Sequence, residues 1–194
     1  TSILGAIPER KVKIQAWREA VGEKMANYIS ASAVSRGKSL HTLIENHLRN
    51  EDSKSMGITA IEPLGMFRII QPYLNRIDNI HGVEEYLYSN EVGVAGQCDC
   101  IAEYKGKLSI IDFKSSSKQR DEDYNYANFL QTSAYAKMYE EIFPKYKVEQ
   151  TVVLTACADG FVQEWIHGKE KFSAHQELFY KHTKDFFDRM SINS

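Results

Sequence analysis

The chain has 194 residues, a net charge of −2, 43% hydrophobic and 26% charged residues, four prolines and no low-complexity tract. That balance excludes a disordered chain, and the length suffices to bury a core without staples, so residues 1–194 are read as one folded domain. No apolar run approaches the length of a bilayer span, so no membrane partner is expected.

Charge is unevenly spread. Residues 1–50 carry eight Lys/Arg against four Asp/Glu, and 51–104 carry three against nine. Residues 105–120 return to five against one, and the remainder carries eight against twelve. Such alternation fits a groove with basic walls and an acidic floor able to hold a metal ion. Three cysteines, Cys98, Cys100 and Cys157, are an odd number that suits reduced thiols inside a cell, and strand alternation would put Cys98 and Cys100 on one face. The chain opens on Thr1, which is compatible with a removed leader.

In chain order, helical spacing begins after Pro8 and runs to Gly37, where a second helix, SLHTLIENHLRN, is expected with Ser39 as its cap. Residues 51–58 read as a polar loop and Pro63–Ile77 as a further helix. From Val83 the texture changes to β-rich runs, VEEYLYSNEVGVA, QCDCIAEY and KLSIIDFK. The segment YANFLQTSAYAKMYEEIF is a helix that stops before Pro144. VEQTVVLTACADGFVQEWIHG is a hairpin turning at Asp159 and Gly160, and a last helix covers Lys169 to Met190. Helices, three strands, helix, two strands and helix predict an α/β or α+β sandwich.

The hairpin QCDCIAEYKGKLSIIDFK carries the chemistry. With Lys105 and Gly106 as its turn, Tyr104 opposes Lys107 and Asp99 falls across from Asp112, two like charges that need a cation between them. A four-residue loop keeps that register; a three-residue loop with a bulge would shift it by one and turn one aspartate to the other face. Lys114 shares the face of Asp112, while Ile111 and Phe113 take the other. A hard divalent ion suits a carboxylate pair. Asp-x-Lys alone is a common accident, so its partners matter. His41 and Glu45 lie four apart on an otherwise apolar helical face, and Gln131 and Tyr135 lie four apart on another, where packing alone would also account for them.

His41, Asp99, Asp112-x-Lys114 and Gln131-x-x-x-Tyr135, in that order, resemble the RecB-like branch of the PD-(D/E)XK nucleases. The likeness is greatest toward the mitochondrial genome maintenance exonucleases and their phage relatives. It implies a restriction-endonuclease-like core over 36–190, with a central mixed sheet flanked by helices and an N-terminal helical part over 1–35. It implies that His41, Asp99, Asp112 and the Phe113 carbonyl hold Mg²⁺ or Mn²⁺. Lys114 would activate water and stabilise the phosphorane, and Gln131 and Tyr135 would position the substrate strand. Glu45 and Glu85 sit where relatives often carry acidic residues. Relatives with an iron–sulfur cluster carry four cysteines, so that cofactor is not expected.

The implied activity is metal-dependent hydrolysis of DNA from an end, of single strands, in replication, repair or recombination. Arg36, Ser115, Ser116, Ser117, Lys118 and Arg120 are candidates to grip phosphates, and Arg10, Lys11, Lys13 and Arg18 to line the approach. A non-catalytic nucleic-acid-binding module and a duplex-cutting endonuclease are the alternatives. The compartment expected is a bacterial or phage-infected cytoplasm, or the mitochondrial matrix after loss of a transit peptide; a monomer is favoured.

Overall fold

The computed structural model describes residues 2–51 and 60–192. The polar loop expected over 51–58 therefore lies, apart from Glu51, outside the described residues. The elements run α1 (Ser2–Gly5), α2 (Pro8–Val21), α3 (Glu23–Arg49), α4 (Ile61–Leu74), β1 (Ile77–Ser89), β2 (Val94–Tyr104), β3 (Lys107–Ser116), α5 (Glu122–Ile142), β4 (Gln150–Cys157), β5 (Val162–Gly168) and α6 (Lys169–Ile192).

The helical break falls at Gly22, whose φ of 82° only glycine adopts easily, and not at Gly37. Gly37 sits inside α3, and Ser39, expected as a cap, lies in the middle of that helix. A Cβ at 37 would stand 3.4 Å from the Ser115 hydroxyl, which places this face of α3 beside the end of β3. The N-terminus of α5 is set four residues earlier than expected by Asp121, whose carboxylate accepts the N–H of Tyr124 at 2.8 Å.

The sheet has five strands in the order β1-β2-β3-β4-β5, all neighbours antiparallel except β3 and β4. The α5 crossover makes that parallel pair possible. Lys105 and Gly106 form the β2–β3 turn with φ of 53° and 76°, the doubly left-handed geometry of a two-residue hairpin, and Tyr104 pairs with Lys107 as expected. Helices cover both faces. On one, Leu40 and Ile44 of α3 and Ile70 and Leu74 of α4 bury Cys100, Ile111, Phe113 and Leu154. On the other, Leu130 and Met138 of α5 and Phe172 and Phe179 of α6 bury Leu87, Cys98, Ile101 and Ile110.

Cys98 and Cys100 therefore belong to opposite cores, which corrects the expectation of a shared face. The cause lies between them. On β1, Val83 pairs with Cys100 and Glu85 with Cys98, while Glu84 adopts a left-handed φ of 58°. Alternation slips by one position there, so the side chains before and after Glu84 and Asp99 follow opposite phases.

Candidate active site

The same irregularity builds the site. Ladder pairs between β2 and β3 run from Tyr104↔Lys107 to Cys100↔Ile111 and go no further. At the next position Asp99 Oδ2 accepts the Phe113 N–H at 2.8 Å, so a side chain occupies the place of the missing strand bond. Across this opening α3 brings His41, whose Nε2 lies 2.8 Å from the Phe113 carbonyl. A carbonyl only accepts, so Nε2 carries the proton and Nδ1 faces the carboxylates of Glu84 and Asp99, each 3.8 Å away. Arg49, at the end of α3, donates to the Val83 carbonyl at 2.9 Å and fixes the helix against β1 beside Glu84.

His41, Glu84 and Asp99 each offer one ligand atom, all within 4.8 Å of one another. This set differs from the expected one. Glu84 enters it; Glu85, the glutamate singled out in the sequence, is exposed with its side chain folded over Gly82. Glu84 turns toward His41 and Asp99 while Glu85 stays exposed, and the left-handed backbone at 84 breaks the regular alternation there. Asp112 adjoins the cluster without being a member of it. It is 1% exposed, its Oδ1 receives Lys114 Nζ at 2.6 Å, and its Oδ2 has no hydrogen-bond partner. A buried carboxylate oxygen without a partner is costly. An oxygen-seeking divalent cation would satisfy it, and the imidazole and carboxylates beside it suit such an ion. The Phe113 carbonyl, expected as a ligand, accepts from His41 and keeps a second lone pair.

The charges respond to one another. Burial and then the neighbouring Asp112 raise the Asp99 carboxyl to about 6, with Lys114 and His41 opposing. Burial pulls the His41 imidazole down, but Glu84 and Asp99 outweigh it and leave its pKa raised. Lys114 is likewise raised, burial opposing and Asp112 and Asp99 prevailing, so its ammonium is held charged.

A cleft of about 570 Å³ opens over these groups, walled by Lys38, His41, Thr42 and Glu45 of α3 and by Glu84, Lys114 and Ser115 of the strands. Glu45 reaches it while paired to Arg49 at 3.1 Å. Gln131 and Tyr135 do not line this cleft: they stand on α5, joined by a 3.3 Å hydrogen bond from the Gln131 amide to the Tyr135 hydroxyl, and line a second cavity of about 200 Å³ with Leu4, Ala95 and Phe179. Burial raises that hydroxyl to about 12, so it stays a neutral donor. Such a constellation is what metal-assisted phosphodiester hydrolysis requires.

The PD-(D/E)XK nuclease superfamily profile matches residues 10–162. The chain belongs to the PD-(D/E)XK nuclease superfamily. Its members use divalent metals, in keeping with the His41, Glu84 and Asp99 cluster. Among curated relatives, the mitochondrial genome maintenance exonuclease 1 of Mus musculus is 27% identical over 159 residues, covering 79% of this chain and 47% of that protein. Its Homo sapiens counterpart is 24% identical over 153 residues, covering 76% and 44%. The chain thus spans less than half the length of these curated relatives. A solved structure from Eubacterium rectale, named as a candidate exonuclease, shares the fold with a TM-score of 0.54 at 11% identity, covering 79% of this chain and 64% of that one.

The residues expected to grip phosphates are dispersed. Only Ser115 lines the cleft. Arg36 reaches Glu62 at the start of α4, 3.3 Å away. Ser116 is buried and donates to the Lys118 carbonyl at 2.6 Å, a turn contact, and Ser117 and Lys118 are exposed beyond it. Arg120 lies over the Tyr124 ring, 4.5 Å from its centroid, with its backbone bonded to Gln163. On α2, Arg10, Lys11 and Lys13 are exposed and Arg18 is committed to Glu23 and Asn27. Lys38, Thr42 and Glu84 are the cleft residues that sequence reasoning missed. Lys38 had a signal in its position three residues before His41, one helical turn along the same face.

No helix among the described residues is long and apolar enough to cross a membrane.

Proposed function

We propose that this chain is a Mg²⁺- or Mn²⁺-dependent deoxyribonuclease that removes nucleotides from an end of single-stranded DNA. The observation that carries the reading is the buried Asp112, one oxygen held by Lys114 and the other without a partner, beside the His41, Glu84 and Asp99 cluster.

A divalent cation held by His41 Nδ1, Glu84, Asp99 and Asp112 would supply Lewis acidity toward a phosphate oxygen and the attacking water. The chain's own groups do the rest. The Phe113 carbonyl fixes the His41 tautomer so that Nδ1 is turned inward. Asp112 holds the Lys114 ammonium at the floor of the cleft, where it orients the water and meets the negative charge that develops on phosphate. Lys38 and Ser115, which line the cleft, contact the backbone of the strand, and Gln131 and Tyr135 position it from the cavity on the α5 side.

Labelled linear single strands, linear duplexes and single-stranded circles, each incubated with Mg²⁺, Mn²⁺ or EDTA, test this. The expected result is metal-dependent loss of linear single strands, slower loss of duplex and intact circles, with Lys114→Ala slower by about 10³-fold or more. Cut circles would make the enzyme an endonuclease. No cleavage of any substrate would leave a binding module.

A further inference from the structure

Leu87 is 3% exposed and points into the core beneath α5 and α6, so its neighbours Tyr86 and Tyr88 point the other way, where they are 78% and 51% exposed. The strand is the outer one of the sheet. Opposite the two tyrosines on β2 stand Gln97 and Ala95, both exposed, which form with them an open patch on the sheet face. Neither tyrosine ring stacks on another aromatic ring among the described residues.

This patch is continuous with the candidate active site. Glu84 is two residues before Tyr86 on the same strand, and the Gln97 side-chain amide donates to the Glu84 carbonyl at 3.0 Å. Residues two apart in a strand are separated by roughly 6.6–6.8 Å. That is about twice the 3.4 Å interval between stacked bases, so one base fits between two upright rings. The small Ala95 beside Tyr88 leaves the flank of that slot open.

The geometry points to Tyr86 and Tyr88 as a stacking platform that takes a nucleobase of single-stranded DNA running out of the catalytic cleft. This rests on the nuclease reading above and adds a physical source for its strand selectivity. In a duplex each base is already stacked on both sides and paired, so offering it to the tyrosines means giving up that stacking and pairing. An unpaired base pays much less and gains the ring contact.

Fluorescence anisotropy with Ca²⁺ in place of Mg²⁺ tests the platform, using labelled dT₁₂ and a twelve-unit abasic oligomer with the same number of phosphates. The unsubstituted chain should bind dT₁₂ more tightly than the abasic oligomer. The Tyr86→Ala/Tyr88→Ala pair should weaken dT₁₂ binding roughly tenfold or more and leave abasic binding within about twofold, which also reports that the chain is folded. Tyr86→Phe/Tyr88→Phe should restore dT₁₂ binding, since the rings stack without their hydroxyls. Unchanged dT₁₂ affinity in the alanine pair, or an equal fall for both oligomers, overturns the platform alone. Failure of the unsubstituted chain to bind either oligomer overturns the nuclease reading and the platform with it.

Discussion

Asp99 Oδ2 accepts the backbone N–H of Phe113 at 2.8 Å, just past Cys100↔Ile111, the last ladder pair of β2 and β3. One carboxylate thus closes the sheet and faces the cation cluster, and the two tasks separate by mutation. Asp99→Asn keeps an acceptor for the Phe113 N–H and removes the charge. Asp99→Ala removes both and leaves a part-buried donor unpaired, at a cost of about 1–3 kcal/mol. Both variants should lose nuclease activity by at least about 10²-fold, and only the alanine should lower the melting temperature by several degrees. Rate assays and thermal melts on the pair check this; equal melting would deny Asp99 its structural share.

Divalent-ion binding should strengthen as pH rises through about 6. Burial and Asp112 raise Asp99 to about 6, and Glu84 and Asp99 raise His41, so both groups hold protons that a cation must displace. The sign for folding without metal is the reverse. A carboxyl raised on folding contributes stability that is complete below its unfolded pKa and lost as pH rises through about 6. Mg²⁺ should therefore raise the melting temperature clearly at pH 7.5 and very little at pH 5. Thermal scans with and without the ion at both pH values measure it, and an equal effect at both would contradict the raised Asp99.

Gly96 should not tolerate a side chain. A Cβ there would lie 2.7 Å from the Tyr135 hydroxyl and 2.9 Å from its Cε1, so the rigid ring would have to move and break its bond to Gln131. Gly96→Ala should cost about 1–3 kcal/mol of stability and lower kcat about tenfold or more. Tyr135→Phe, which removes the clashing oxygen, should recover part of the stability in the Gly96→Ala background but not the rate.

His167 should make the fold acid-sensitive away from the cleft. It is 4% exposed, wedged against Phe129 with ring centroids 4.3 Å apart, and neither ring nitrogen has a hydrogen-bond partner. Burial, then Lys171 and His175, depress it to about 4. A histidine lowered on folding contributes stability that is full above its unfolded pKa of 6.5 and gone once pH falls below about 4. Denaturant titrations should show a loss on the order of 2–3 kcal/mol across that interval, and His167→Phe should flatten it.

The amino-acid sequence by itself determined the succession of helices and strands, the two-residue turn at Lys105 and Gly106, and hence the register of β2 and β3 from Tyr104↔Lys107 to Cys100↔Ile111. These are local consequences of side-chain periodicity and of which residues accept a positive φ. It also marked His41, Lys114, Gln131 and Tyr135, because polar groups at fixed spacing on otherwise apolar faces stand out without coordinates. Tertiary structure alone decided that Glu84 and not Glu85 turns inward, that Cys98 and Cys100 serve different cores, and that Gly37 continues a helix instead of ending one. Each of these depends on a backbone irregularity or a close approach between elements distant in the chain. The left-handed turn at Glu84 answers to the α3 helix above it and the parting of β2 from β3 beside it, and no periodicity within β1 encodes either neighbour.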